Sequence, residues 1–394
     1  MKKKLLALAL ACTTLFVSCG KKDGESVNVT NYEHSVDRSA SNGGGTETDP
    51  STDPDAEPTA TPEPVDTTYE YTLCFAGDLC FDDRHYTMDA YHENGDDISK
   101  VISPGFIDIM KAADIFWLNN EFTYTDRGEP TPDKMYTFRT DPKYVSILFD
   151  LGADIVGLAN NHTYDYGEVS LLDTLETLED AGMPYVGAGR NLDEAKAPVY
   201  MKVGNKTIAY VAASRAEGYA FTPQATEDSP GILRCYDDYD LFIESIEEAA
   251  ANADFVIALP HWGLEHLTIL EDEQVDGAKA LIDAGADAVI GAHTHCLQAI
   301  DFYNGKPIIY SLGNFWFIDE YDQETMLAEL IVSGDDATGE ENITLKITPG
   351  FAVQGTGITE ICDTPEWRRE IFDYVESISE DISIDDDGIV TKTE

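Results

Sequence analysis

From Tyr71 onward the apolar residues fall into short runs, separated by stretches in which they recur at helical spacing. YTLCFAGD reads as a strand ending in Gly77 and Asp78, IFWLNNE (115–121) as a second and IVGLANNH (155–162) as a third. Residues 207–214, 255–260 and 288–291 read as further strands. Helical spacing covers 106–113, 143–151, 168–181, 239–251 and 274–284. Strands alternating with helices imply βαβ units and a sheet covered on its faces, so an α/β protein is expected. After His295 the pattern shifts. Residues 299–303, Asn304-Gly305 and 307–311 read as a hairpin, 325–332 and 343–347 as further strands, and a second, more antiparallel sheet is expected. Residues 365–378 fit one amphipathic helix, and the acidic end of the chain is expected to fray. The domain is thus placed at 69–355, with a C-terminal helix and acidic tail over 356–394.

The first residues belong to no fold. Lys2, Lys3 and Lys4 precede the apolar run 5–17, which is too short to span a bilayer comfortably. Phe16, Val17, Ser18 and Cys19 resemble a bacterial lipobox, in which residues 1–18 are removed and Cys19 is lipidated; a plain signal peptide is the alternative. Residues 19–68 are rich in Gly, Ser, Thr, Asp, Glu and Pro and lack apolar periodicity, which makes them a flexible tether. A mature protein outside the cytoplasmic membrane, held to it by lipid, is expected.

Charge narrows the partners. Lys plus Arg total 25 against 75 Asp plus Glu, a net charge of −50. Nucleic acid is excluded as a partner on this ground, because binding phosphates needs a basic face. A polyanionic substrate is disfavoured too, except where a metal reverses the local sign. Seven cysteines shrink to five once Cys12 leaves with the signal and Cys19 takes the lipid, an odd, scattered set that does not read as a disulfide framework, and one pair that spacing cannot choose stays open.

Chemistry gathers at the strand ends. In GAHTHCLQ (291–298), a strand ending at Gly291 would send His293 and His295 out with side chains on one side, since strand side chains alternate with a period of two. Asp78 follows the first strand, Glu121 the second, Asn160, Asn161 and His162 the third, and His261 a later one. Each alone has an ordinary reading as a turn cap, a solvated strand end or a loop histidine. Ligands of open α/β sheets collect beyond the carboxyl ends of the strands, and this recurrence at one edge argues for one site. Its mixed oxygen and nitrogen donors suit one or two divalent ions of Mn, Fe, Zn or Mg.

GDLCF (77–81), NNE (119–121), ANNHTYDYG (159–167), PHWGLEH (260–266), GAHTHCLQ and SLGNF (311–315), in this order, resemble the CapA family of bacterial capsule or poly-gamma-glutamate synthesis proteins. The resemblance covers about residues 71–350. It implies a four-layer α/β/β/α sandwich like that of the calcineurin-like metallophosphoesterases, with a metal centre between the sheets. By that likeness Asp78 and His295 would bind a first metal, Glu121 would bridge, and Asn161, His261 and His293 would bind a second. His162 would be the acid or transition-state donor. The likeness is imperfect: Cys80 stands where that superfamily has a histidine, and Glu121 where it has an aspartate. Cys80 is then either a thiolate ligand or a structural thiol, and a mononuclear site stays open. Asp165, Glu265 and His266 are candidates to orient the ligands, with surface roles as the alternative. Arg139, Arg190 and Arg215 suit a phosphate or carboxylate, but no pattern places them in the site. Two functions remain: a metal-dependent hydrolase or transferase on a phosphoester or glutamyl amide, or a non-catalytic subunit that binds an extracellular polymer or other capsule synthase subunits.

Overall fold

The computed structural model describes residues 67–217, 221–318, 323–353 and 355–393; the signal, Cys19 and nearly all of the tether lie outside them. Among the described residues the strands assemble into two large mixed sheets. The ten-stranded sheet runs through residues 382–384, 389–392, 340–353, 323–335, 68–79, 115–120, 155–157 and 185–186, with 314–316 and 358–361 pairing off that path. The six-stranded sheet runs through 300–303, 306–309, 288–290, 255–261, 206–214 and 199–203. No described helix is long and apolar enough to cross a membrane.

Strand alternation sorts the apolar residues into layers. In Thr68–Leu79, Leu73 and Phe75 pack between the sheets, while Cys74 and Ala76 face the helices Pro104–Ala112 and Glu168–Ala181. In Phe255–His261, Phe255, Ile257 and Leu259 join the same inter-sheet core. Val256 and Ala258 face the helices Asp240–Ala250 and Asp272–Ala284, which bury Phe242, Ile246 and Leu281 on them. Helices, sheet, sheet, helices is the α/β/β/α sandwich. Each fully buried Leu, Ile or Phe in these layers contributes about 1.5–3 kcal/mol, so the interleaved faces hold the sheets together.

Two expectations need correction. The strands after His295 do not form a second sheet of their own. The hairpin Ile300–Tyr303 and Lys306–Ile309 completes the six-stranded sheet, whereas Gln323–Asp335 and Glu340–Val353 extend the ten-stranded one beside Thr68–Leu79. Each sheet therefore mixes parallel and antiparallel pairs, because the late strands cover open edges of early ones. Nor is the end of the chain frayed. Helix Pro365–Ile378 buries Ile371, Phe372 and Val375 in the inter-sheet core. After it, Ile382–Ile384 and Ile389–Lys392 form a hairpin that pairs with Glu340–Val353, with Ile384 and Val390 buried.

Candidate metal centre

The inter-sheet face of each strand leads to the centre. Phe255, Ile257 and Leu259 share a parity that His261 continues, and Ile115 and Trp117 share one that Asn119 and then Glu121 continue. Strand Thr68–Leu79 needs an irregularity to do the same: its register against Ile115–Asn120 shifts between Ala76 and Asp78, which turns Asp78 inward. Gly77 permits the crossing beneath it. A Cβ there would lie 1.9 Å from the Gly313 carbonyl oxygen, the acceptor of the Asp78 amide at 3.0 Å. Glu121 is held level with Asp78 by its own amide, which donates to the Leu79 carbonyl at 2.9 Å.

His293 and His295 arrive by another route than strand alternation. Strand Ala288–Ile290 ends before them, and both have left-handed backbone, φ 101° and 57°. His266, with φ 57°, shares the conformation. Non-glycine residues in that region cost of order 1–3 kcal/mol each and persist where the surroundings impose them, commonly at functional sites. The kinks send the two rings to different groups.

The first group is Glu121, His261 and His293, the second Asp78, Glu121 and His295; in each the ligand atoms lie within 4.8 Å of one another, and all five residues are buried. Glu121 is common to both. Its Oε1 stands 3.6 Å from His261 Nε2 and 4.0 Å from His295 Nε2. Asn161 borders the first group, with Oδ1 2.8 Å from His261 Nε2. His162 Nδ1 bonds Asp165 Oδ2 at 2.7 Å, while its Nε2 faces Glu121 Oε1 at 4.0 Å.

Electrostatics makes the centre fit a cation. Burial, with the nearby Asp78 charge, pushes the Glu121 carboxyl well above its usual range. Burial works against Asp78 as well, but the hydrogen bond and charge of His295 hold it below the usual value, and the same contact raises His295 despite its burial. Burial lowers His261 to about 3 and His293 well below 6.5, so both are neutral imidazoles, the ligand form, at pH 7. Burial likewise lowers His162, against the pull of Asp165. Glu121 Oε1, His293 Nδ1 and Asn161 Nδ2 are buried with no hydrogen-bond partner. Glu121 Oε1 and His293 Nδ1 carry lone pairs beside a carboxylate pair and are what one or two divalent ions would satisfy, whereas the Asn161 Nδ2 donor is not.

The remaining sequence candidates divide. Asp165 is buried, its Oδ2 accepts from the Phe138 amide at 2.6 Å and bonds His162, and its Oδ1 pairs electrostatically with Lys134 Nζ at 2.7 Å. His266 is exposed, with its ring 5.8 Å from that of His295. Glu265 is exposed and reaches the centre through its charge on Glu121. Cys80 lies in the core on the helix side of its sheet, in neither metal group, so it is a structural thiol. None of the three arginines enters the centre: Arg139 covers the Tyr166 ring at 4.3 Å, Arg190 pairs with Glu179 and Arg215 with Glu271.

Three residues were missed as parts of the centre. Asn119 Nδ2 donates to Asp78 Oδ1 at 2.7 Å and Glu121 Oε2 at 3.0 Å, so one amide ties the two carboxylates together. Its place two residues before Glu121 on the same strand face was a visible signal. Asn314 Oδ1 lies 2.8 Å from His295 Nδ1, which leaves Nε2 for a metal. Lys134, from an irregular loop, carried no signal.

Fold and centre together define a metallophosphoesterase-like α/β/β/α protein. The chain belongs to the family described as bacterial capsule synthesis protein PGA_cap, which it matches over residues 72–319. It is 35% identical over 246 residues to the PGA biosynthesis protein CapA of Bacillus subtilis, covering 62% of each chain. With the capsule biosynthesis protein CapA of Bacillus anthracis it shares 35% identity over 189 residues, 47% of this chain and 45% of that one. With a probable polyglutamine synthesis accessory protein of Mycobacterium tuberculosis it shares 33% over 218 residues, 54% of this chain and 57% of the relative. The matches thus span 45 to 62% of these curated relatives.

Proposed function

We propose that the protein is a surface-anchored, metal-dependent hydrolase or transferase of capsule or poly-gamma-glutamate biosynthesis, acting on a phosphoester or a glutamyl amide. One observation carries the reading: two buried ligand groups share Glu121, and two buried lone-pair atoms in them, Glu121 Oε1 and His293 Nδ1, have no hydrogen-bond partner within the protein. The names of the relatives supply the polymer. Asp78, Glu121 and His295 would hold one ion, and Glu121, Asn161, His261 and His293 another, of Mn, Fe, Zn or Mg. Such an ion polarises a substrate oxygen and makes water acidic enough to attack at neutral pH. His162 supplies proton transfer. Its Nδ1 is committed to Asp165, so exchange takes place at Nε2, and a proton taken up there passes to the leaving group. Cys19 would carry the lipid that holds the domain outside the membrane, where the growing polymer and other synthase subunits are its partners.

The test is metal content by elemental mass spectrometry on full-length protein purified without chelator, followed by turnover on a panel of phosphoesters and glutamyl amides. His162→Ala is expected to keep metal and lose turnover, and His293→Ala to lose metal. Protein that takes up no Mn, Zn or Fe on reconstitution would end the hydrolase reading. A His162→Ala strain that still makes capsule would favour a non-catalytic binding subunit. Cys19→Ala should move the protein from the membrane pellet to the soluble fraction.

A further inference from the structure

One buried cation near the centre has no part in that scheme. Lys134 sits in the irregular segment between Tyr124 and Arg139, and its side chain is only 3% exposed. The segment is laid against residues 161–166. The Thr131 amide donates to the Asp165 carbonyl at 2.8 Å, Thr131 Oγ1 to the Tyr164 carbonyl at 3.1 Å, and the Phe138 amide to the Asp165 carboxylate at 2.6 Å. Asp133, with left-handed φ of 64°, makes the turn that precedes Lys134.

Lys134 Nζ donates to the backbone carbonyl of Asn161 and pairs electrostatically with Asp165 Oδ1 at 2.7 Å and Glu217 Oε2 at 3.5 Å, so its charge and its hydrogen bond are both engaged within the protein. The Asn161 carbonyl takes a second donor, Thr222 Oγ1 at 2.6 Å. That carbonyl belongs to the peptide joining Asn161 to His162, so its two donors fix where both side chains start. Asn161 Oδ1 lies 2.8 Å from His261 Nε2, so any shift of this peptide reaches the His261 group directly. The Asp78 and His295 group is held by other bonds than those at the Asn161 carbonyl: Asn119 and the His293 amide hold Asp78, and Asn314 holds His295, while Asn119 also approaches His261 Nδ1 at 3.3 Å.

We infer that Lys134 is the positioning residue that fixes the Asn161–His162 peptide, and that it governs the ion held with His261 and His293 rather than the one held with Asp78 and His295. The inference rests on the reading of the centre as a metal site. Outer-shell supports of this kind typically change metal affinity by ~10- to 100-fold. A lysine that bound substrate would leave metal affinity alone.

The experiment titrates chelator-stripped full-length protein with Co2+ alone, followed by calorimetry and visible absorption, in wild type, His261→Ala, Lys134→Met and Thr222→Val. The expected result is that Lys134→Met weakens by ~10- to 100-fold the same ion that His261→Ala removes, with any second ion unchanged. Thr222→Val, which removes the other donor without touching charge, should weaken that ion in the same direction. Unaltered Co2+ binding in a folded Lys134→Met, or a loss spread equally over both ions, overturns the inference and leaves the metal reading standing. If Lys134→Met does not fold, Thr222→Val decides: unchanged binding overturns the inference. Wild type that binds no Co2+ overturns the metal reading, and the inference with it.

Discussion

Glu121 concentrates the chemistry of the centre on one carboxylate, because it is the member common to both ligand groups. Glu121→Gln keeps the shape and removes the charge. It is expected to weaken every bound ion by more than the ~10- to 100-fold typical of an outer-shell change, whereas Asp78→Asn should weaken only one. Equilibrium dialysis with metal analysis separates the two cases, and a Glu121→Gln protein that kept one ion at full affinity would show that the carboxylate is not shared. The cysteines give a second residue-scale prediction. Cys74, Cys80, Cys235 and Cys362 are buried and Cys296 is partly exposed. Burial pushes the thiols of Cys235 and Cys362 up to about 12, so they stay protonated and unreactive as pH rises through 9.0, their ordinary value. Alkylation of native protein at pH 8 and again near pH 10, read by peptide mapping, should mark Cys296 and leave those two unlabelled until denaturant is added. Cys80→Ala should retain full metal content, which a thiolate ligand would not allow.

At the scale of elements, the centre depends on how strands end. Gly77 shows the tolerance: an added Cβ would meet the Gly313 carbonyl oxygen at 1.9 Å, and neither backbone can yield without moving Asp78. Gly77→Ala is expected to cost about 1–3 kcal/mol by overpacking and to lower metal occupancy, measured by denaturant unfolding and metal analysis of the same preparation. Occupancy at the wild-type level would show that the crossing is not what places Asp78. Strand ends mark what was legible beforehand. The runs 115–121 and 255–261 are unbroken apolar stretches that close on polar residues, so Glu121 and His261 could be placed at strand ends from the sequence, while the face each takes comes from the fold. His293 and His295 join the two ligand groups by another route than the one expected, since strand alternation stops at Ile290 and left-handed turns aim the rings, a conformation that no apolar pattern encodes. Lys134 was illegible for a related reason. Its loop has no periodicity, and its partners Asn161, Asp165 and Glu217 are brought to it only by the fold.

At the scale of the molecule, the ends of the chain were read with unequal success, because the strongly acidic C-terminal segment masked its few apolar positions. Ile384 and Val390 sit among Asp and Glu, yet the hairpin that carries them is tied on three sides. Leu345 pairs with Val390 in the ten-stranded sheet, and Arg369 Nη1 in the preceding helix donates to the Ile384 carbonyl at 2.7 Å. Lys392 Nζ donates to the Phe302 carbonyl of the six-stranded sheet at 2.6 Å. The hairpin thus straps the open side of the sandwich, holding one sheet to the other far along the chain from the metal ligands. Deleting residues 380–394 removes two buried side chains, Ile384 and Val390, that are 3% and 4% accessible and each contribute about 1.5–3 kcal/mol when buried. The truncated protein is therefore expected to lose about 3–6 kcal/mol of stability in urea unfolding. A frayed tail would predict no loss. Because the hairpin contributes no ligand, metal stoichiometry of the truncated protein at low temperature should stay that of the full chain; a truncation that lost metal before it lost secondary structure would mean that the strap sets the spacing of the sheets at the centre as well as their attachment.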